Sequence, residues 1–224
     1  MSYIINIDTA TETAHVSIAQ NGKVLQALKN ESQKDHGAFV QTAIQQLLKL
    51  TALSFIDIDA IAVTAGPGSY TGLRVGMASA KGLCYGLHKP LIALSTIEVL
   101  TTAVTQVHSN NQPEILYCPM IDARRMEVFT ALYNNTLTTI LPPCAMILNE
   151  NSFLNYLQTD KIIFFGSGSN KWQQVCKHSN ASFTAVPDVS AAMAGLSNSH
   201  FLQQRFADLA YTEPFYLKEF QNNF

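Results

Sequence analysis

Short segments with an alternating or near-continuous apolar pattern open the chain, at Tyr3–Ile7, Thr13–Ala19 and Lys23–Leu28, and Asn21-Gly22 between the last two is a favoured two-residue hairpin turn. The period then changes from two to helical. His36, Phe39, Val40, Ala43, Leu47 and Leu50 recur on one helical face, followed by a buried strand at Ala60–Ala65, a Gly-rich turn, a helix over about Tyr70–Leu87 and a strand at Leu91–Leu94. Ser95 and Glu98 have capping-box spacing ahead of Leu100, Val104 and Val107, which predicts a third helix. The same order then returns. Strands are predicted at Leu116–Ile121, Val128–Tyr133 and Thr136–Leu141, a helix around Ser152–Leu157, a strand at Lys161–Phe165, a helix near Lys171–His178, a strand at Phe183–Val186 and a helix over Ala191–Phe206. Two copies of one βββαβαβα plan predict an α/β protein of two lobes, residues 1–108 and 109–224, joined at the polar stretch His108–Pro113, with the last helix able to fold back on the first lobe.

This duplicated plan resembles the actin and sugar-kinase superfamily, whose two RNase H-like lobes face each other across a cleft. With 224 residues and 47% apolar content the chain has material for a sizeable core in each lobe. Its charge narrows the functions. Fourteen Lys and Arg against sixteen Asp and Glu leave a formal charge of -2, so no global positive field gathers nucleic acid, and no basic run exceeds the pair Arg124-Arg125. Weak nucleic-acid binding by the isolated chain is expected. Cys84, Cys118, Cys144 and Cys176 lie too far apart for a CxxC site or a compact disulfide framework and read as buried free thiols of a cytoplasmic protein. Neither a secretion signal nor a membrane span is expected.

Asp8 and Asp122 end the first strand of each lobe, where the superfamily places the acids that organise metal-bound phosphate. Its phosphate loops also need glycine after the acid, since a Cβ would keep backbone amides from the phosphate. Here Asp8 is followed by Thr9-Ala10-Thr11 and Asp122 by Ala123-Arg124-Arg125, and only Gly166 and Gly168, between a strand and a helix, keep the makings of a nucleotide loop. A vestigial nucleotide site at Asp8, Asp122, Gly166 and Gly168 is one reading; strand ends and turns are the other. No HxxxH or HExxH pairs the six histidines, so no metal site is expected. The densest signal is the run Gly66-Pro67-Gly68-Ser69-Tyr70-Thr71-Gly72-Leu73-Arg74-Val75-Gly76, which turns out of a buried strand into a helix with Ser69 or Thr71 as N-cap. Leu73, Met77, Ala80, Cys84 and Leu87 make a stripe suited to a sheet, while Gly72, Gly76 and Ala80 recur every four residues as a small-residue ridge. Glycine within a helix costs about 1 kcal/mol relative to alanine, so Gly72, Gly76, Gly82 and Gly86 in one helix call for a use such as close approach by a partner. On that reading Gly76→Arg breaks assembly and spares the fold.

The run from Gly66 to Leu83 is very similar to the signature of the TsaB (YeaZ) family, and Ile5–Thr9, the segment Asp122-Ala123-Arg124-Arg125-Met126-Glu127-Val128-Phe129 and Pro214–Lys218 agree with that family along nearly the whole chain. The resemblance implies a non-catalytic paralogue of TsaD, the metal-containing subunit that transfers threonylcarbamoyl to N6 of an adenosine in tRNA. It implies assembly with TsaD, or with a second copy, through the two helices of the first lobe, with the ATPase TsaE joining the pair. It also implies no cofactor of its own, ATP only at a site a partner completes, and tRNA contact only within the complex. The interface positions so implied are His36, Phe39, Val40, Ala43, Tyr70, Gly72, Leu73, Arg74, Gly76, Met77 and Ala80. His36-Gly37-Ala38 departs from the family's usual His-Ser-Glu. The alternative is a degenerate ATP-binding enzyme of the sugar-kinase type; a glycoprotease has least support, as no activated nucleophile is found.

Overall fold

The computed structural model describes residues 1–32, 36–108 and 115–217. Two five-stranded mixed sheets carry the chain, with strand orders β3-β2-β1-β4-β5 and β10-β9-β6-β7-β8. The first comprises β1 (Tyr3–Asp8), β2 (Ala14–Gln20), β3 (Lys23–Asn30), β4 (Ala60–Gly66) and β5 (Leu91–Ser95), and the second β6 (Ile115–Asp122), β7 (Glu127–Tyr133), β8 (Thr139–Ile147), β9 (Lys161–Phe165) and β10 (Ala181–Thr184). The helices α1 (His36–Thr51), α2 (Tyr70–Leu87), α3 (Thr96–His108), α4 (Leu154–Leu157), α5 (Ser169–Val175) and α6 (Ser190–Leu202) fall at matching places in the two copies. The repeat read from the sequence is therefore a repeat of topology: β1 and β6 are the central strands of their sheets, each with one antiparallel and one parallel neighbour.

The division into units differs from 1–108 and 109–224. One compact unit is Met1–Val99 with Asp188–Phe215, the other Leu100–Pro187 with Tyr216–Phe224, and the linker expected over His108–Pro113 lies, but for His108, outside the described residues. The physical reason is packing. α6 rests on β1, β2, β3 and β5 of the first sheet, with Ala192, Met193, Ala194 and Ser197 buried beneath it, while Ser2 donates through its hydroxyl to Asn198 at 2.8 Å. Beyond α6 the chain stays on the same sheet: the Ala207 amide donates to the Leu91 carbonyl (2.8 Å), and Lys81 donates to the carbonyls of Ala210 and Thr212.

In the first unit α1 and α2 cover the opposite face, and Ile5, Ile7, Val16, Ile18, Val40, Ile44, Leu47, Ile61, Val63 and Met77 form the core between them and the sheet. Each such side chain contributes roughly 1.5–3 kcal/mol by leaving water. The stripe read for α1 shifts slightly, with Ile44 and Leu48 buried and Leu50 exposed. The second unit builds its own core around Phe153, Phe164, Leu157 and the fully buried Trp172. Its third strand starts later than the apolar pattern predicts. Asn134 gathers the Thr136 and Thr138 amides with its side-chain oxygen (3.0 and 2.8 Å), holding those residues in a turn, so β8 starts at Thr139, and its Pro142 and Pro143 fall in the register shift between the pairs Leu132–Leu141 and Thr130–Cys144, where the ladder of this edge strand is interrupted.

The four cysteines are free, as expected, two of them buried. Burial pushes the Cys84 thiol up to about 11 and raises Cys118 further, against the opposing hydrogen bond with Thr130. Both should therefore resist iodoacetamide at pH 8 in the folded chain and react on unfolding, which peptide mapping after labelling reads out. Because the folded state holds these protons above the pH at which the unfolded thiols release theirs, the stability they contribute is complete below about pH 8.5 and is lost as pH rises toward 11.

Candidate functional site: the α1–α2 face and the strand-end loops

The end of β1 is built into the start of α2. Asp8 is buried; its Oδ1 accepts the Thr64 hydroxyl at 2.8 Å and the Ala10 amide at 3.0 Å. The Thr9 hydroxyl donates to the Gly72 carbonyl (2.7 Å), and the Ser69 amide donates to the Ala10 carbonyl (2.7 Å). Ser69 caps α2, its hydroxyl accepting the Gly72 amide, which agrees with the N-cap read from the sequence. At this helix terminus the Ser69 amide is thus taken by the chain's own Ala10 carbonyl and the Gly72 amide by the Ser69 hydroxyl. A Cβ on Gly68 would overlap the Ala10 carbonyl oxygen, one on Gly72 the Thr9 carbonyl oxygen, and one on Gly76 the Thr9 hydroxyl.

These contacts correct the ridge reading. Gly72, Gly76 and Ala80 are buried against this chain's own strands, so Gly76→Arg would break the first unit rather than probe a partner. The same holds for most of the interface positions that the resemblance implies. His36, Val40, Ala43, Leu73 and Met77 are buried, and Phe39 is half-buried; only Tyr70 and Arg74 stand exposed, with the Arg74 guanidinium 4.1 Å over the Tyr70 ring. The His36 ring nitrogen Nε2 lies 3.2 Å from the Glu12 carbonyl, which fastens the start of α1 to the β1–β2 loop. An apolar helical stripe marks the side facing the sheet, and physical contact with the sheet decides against partner contact.

What α1 and α2 do present outward is a different row. Tyr70, Arg74, Ala78, Gly82 and Gly86 are exposed at steps of four, and a Cβ at Gly82 or Gly86 would meet nothing within 4 Å. This row is two residues out of step with the buried one, a rotation of about 200° at 3.6 residues per turn. Alongside it α1 exposes Gln41, Thr42, Gln45 and Gln46. The two helices run side by side: a Cβ at Gly37 would lie 3.9 Å from Val75, and Gln41 Nε2 donates to the Ser79 hydroxyl at 3.2 Å. Between Arg74 near one end and Lys49 at the other, the exposed side chains carry no charge and several have almost no bulk. Sequence reasoning missed Ala78 as a member, although Gly82 and Gly86 had already raised the question of their use.

In the second unit Asp122 is exposed, its Oδ1 accepting the Arg124 amide (2.6 Å) and ion-paired with Lys171 (2.7 Å). The loop at Gly166–Ser169 lies directly on β6. Gly166 takes φ +97°, a Cβ there would overlap the Met120 carbonyl oxygen, and one on Gly168 would overlap Val128. The Gly168 amide donates to Met120 (2.9 Å), the Ser169 amide to Gly166 (3.0 Å), and the Asp122 amide to the Ser167 hydroxyl (3.0 Å). These glycines have an intramolecular use, and the loop's amides at 168 and 169 point at protein carbonyls. Among the described residues no three His, Cys, Asp or Glu side chains come together as a metal site would need, and no helix is long and apolar enough to cross a membrane.

A family model described as TsaD, tRNA N6-adenosine threonylcarbamoyltransferase, matches residues 27–219. A Haemophilus influenzae protein named tRNA threonylcarbamoyladenosine biosynthesis protein TsaB is 27% identical over 225 residues, covering 96% of this chain and 93% of its own. Among solved structures, YeaZ from Pseudomonas aeruginosa superposes with a TM-score of 0.78 at 21% identity, covering 97% of this chain and all of that one. An Arthrobacter polyphosphate/ATP-glucomannokinase superposes at 0.50 with 10% identity over 91% of this chain, which places the fold among actin-like and sugar-kinase-like proteins.

Proposed function

The chain belongs to the TsaD family, as a TsaB (YeaZ) type paralogue of the transferase, and from that premise we propose that it is a scaffold subunit of tRNA threonylcarbamoyladenosine biosynthesis with no active site of its own. In this reading α1 and α2 dock a TsaD subunit, the ATPase TsaE joins the assembled pair, and tRNA meets the chain only within the complex. A second copy of the chain would use the same face when the transferase is absent.

The observation that carries the proposal is the outward row Ala78-Gly82-Gly86, open to close approach and flanked by the uncharged α1 side chains. Helices pack at about 8–10 Å between axes depending on the side chains at the contact, small ones allowing the closer approach, and interface cores are depleted of charge. The Ser69 and Gly72 amides engaged at the α2 terminus and the engaged loop at Gly166–Ser169 support the absence of a nucleotide site in this chain alone. A nucleotide enzyme would instead need those amides turned outward.

Reconstitution tests the proposal. With TsaD, TsaE, ATP, threonine, bicarbonate and the enzyme that makes the threonylcarbamoyl adenylate, modification of tRNA should require this chain, while the chain by itself should neither modify tRNA nor give a binding isotherm with ATP and magnesium in calorimetry. Full modification in its absence would sink the scaffold reading. A saturable ATP isotherm with magnesium-dependent hydrolysis, abolished by Asp8→Ala, would favour the degenerate kinase.

A further inference from the structure

We propose that Arg124 and Arg125, in the turn between β6 and β7, contact the phosphodiester backbone of the RNA substrate in the assembled complex; the inference rests on the functional reading above. Both residues have left-handed backbone, with φ 70° and 49°, a region that L residues with a long side chain adopt at a cost and that Asn or Gly occupy freely. The chain meets the same demand differently elsewhere. At the β2–β3 hairpin it places Asn21-Gly22, with φ 48° and 79°. Single non-glycine residues take the same region at Ala52, His88, Leu137, Phe153 and Gln204, but Arg124-Arg125 is the one consecutive non-glycine pair to do so among the described residues, and it is this pairing, with the exposure and charge of both side chains, that points to their use.

The turn that carries them is fixed. The Arg124 amide donates to Asp122 Oδ1 (2.6 Å), the Glu127 amide to the Arg124 carbonyl (3.1 Å), the Ala123 amide to the Glu127 carbonyl (3.1 Å) and the Leu148 amide to the Met126 carbonyl (2.6 Å). Both arginines are exposed, and among the described residues neither guanidinium forms an ion pair; the nearby Asp122 is taken by Lys171. They are also the one adjacent pair of basic residues in a chain of net charge -2. A planar guanidinium matches a phosphate oxygen pair, and two on a rigid turn suit an extended polyanion. A free nucleotide is a poorer match, because the neighbouring amides at Gly168 and Ser169 that could cradle its phosphates are already bonded to protein.

The test variant is Arg124→Asn/Arg125→Gly, which removes both guanidiniums and relaxes the turn. Its melting temperature, measured on the isolated chain, should equal or exceed that of the parent. In the reconstituted complex the KM for tRNA should rise by about tenfold or more at nearly constant kcat, and the slope of log affinity against log salt should fall by about two, one for each phosphate that no longer meets a guanidinium. Lys161→Gln/Lys177→Gln removes the same charge from exposed positions of the same unit and should leave both readouts unchanged. An unchanged KM and salt slope in the arginine variant would overturn the proposal. So would loss of the complex itself, which would make the pair a contact for a protein carboxylate, or an effect confined to the KM for ATP. Failure of the wild-type chain to join TsaD would sink the functional reading instead; loss of the isolated chain's weak, salt-sensitive tRNA binding in the arginine variant would then support the inference, and equal binding by the two would overturn it.

Discussion

Gly72→Ala is expected to lower the stability of the first unit by about 3 kcal/mol, a fall of roughly 6–12 °C in melting temperature for a chain of this size. The added methyl would overlap the Thr9 carbonyl oxygen, a backbone atom that cannot swing aside. Movement of either partner also strains two other contacts, the Thr9 hydroxyl donating to the Gly72 carbonyl (2.7 Å) and the Ser69 amide donating to the Ala10 carbonyl (2.7 Å). Gly82→Ala is the matched control. Its methyl meets nothing within 4 Å, so helix propensity alone acts, and it should stabilise by about 0.5–1 kcal/mol. Thermal unfolding of both variants checks the pair; equal behaviour would mean that α2 does not lie on β1 as described.

Gly82→Arg should abolish assembly with TsaD while leaving the isolated chain as stable as before. Arginine is a better helix former than glycine by nearly 1 kcal/mol, and the site is open, so nothing in the chain opposes the substitution. Against a partner helix the same side chain either holds the helices apart or buries an unpaired charge, and either outcome should weaken binding on the order of 100-fold or more. Calorimetric titration with TsaD, beside the melting temperature of the variant alone, reads both halves of the expectation. Binding at wild-type affinity would remove the α2 face from the interface, whatever the fate of the scaffold reading.

Much of this protein was determined by its sequence alone. The switch between two- and 3.6-residue periods located both copies of the βββαβαβα unit, and Tyr70–Leu87 and Lys161–Phe165 were bounded as observed, because Ser69 offers a capping oxygen at one and a dense apolar run marks the other. The loss of glycine after Asp8 and Asp122 was equally legible, since a missing residue type needs no coordinates. Tertiary structure decided what periodicity leaves open. Two rows of small residues, Gly72-Gly76-Ala80 and Ala78-Gly82-Gly86, have the same spacing on one helix, and only the position of Thr9 against α2 shows that the first is inside and the second outside. The strand after Asn134 began late because a side-chain oxygen took the amides of Thr136 and Thr138, a local competition that hydrophobic pattern does not register. The membership of α6 in the first unit was settled by contacts between residues nearly two hundred positions apart, Ser2 with Asn198 among them. Spacing along a chain fixes which residues share a face; which face meets protein and which meets water is set by the residues that come back to it from elsewhere in the sequence.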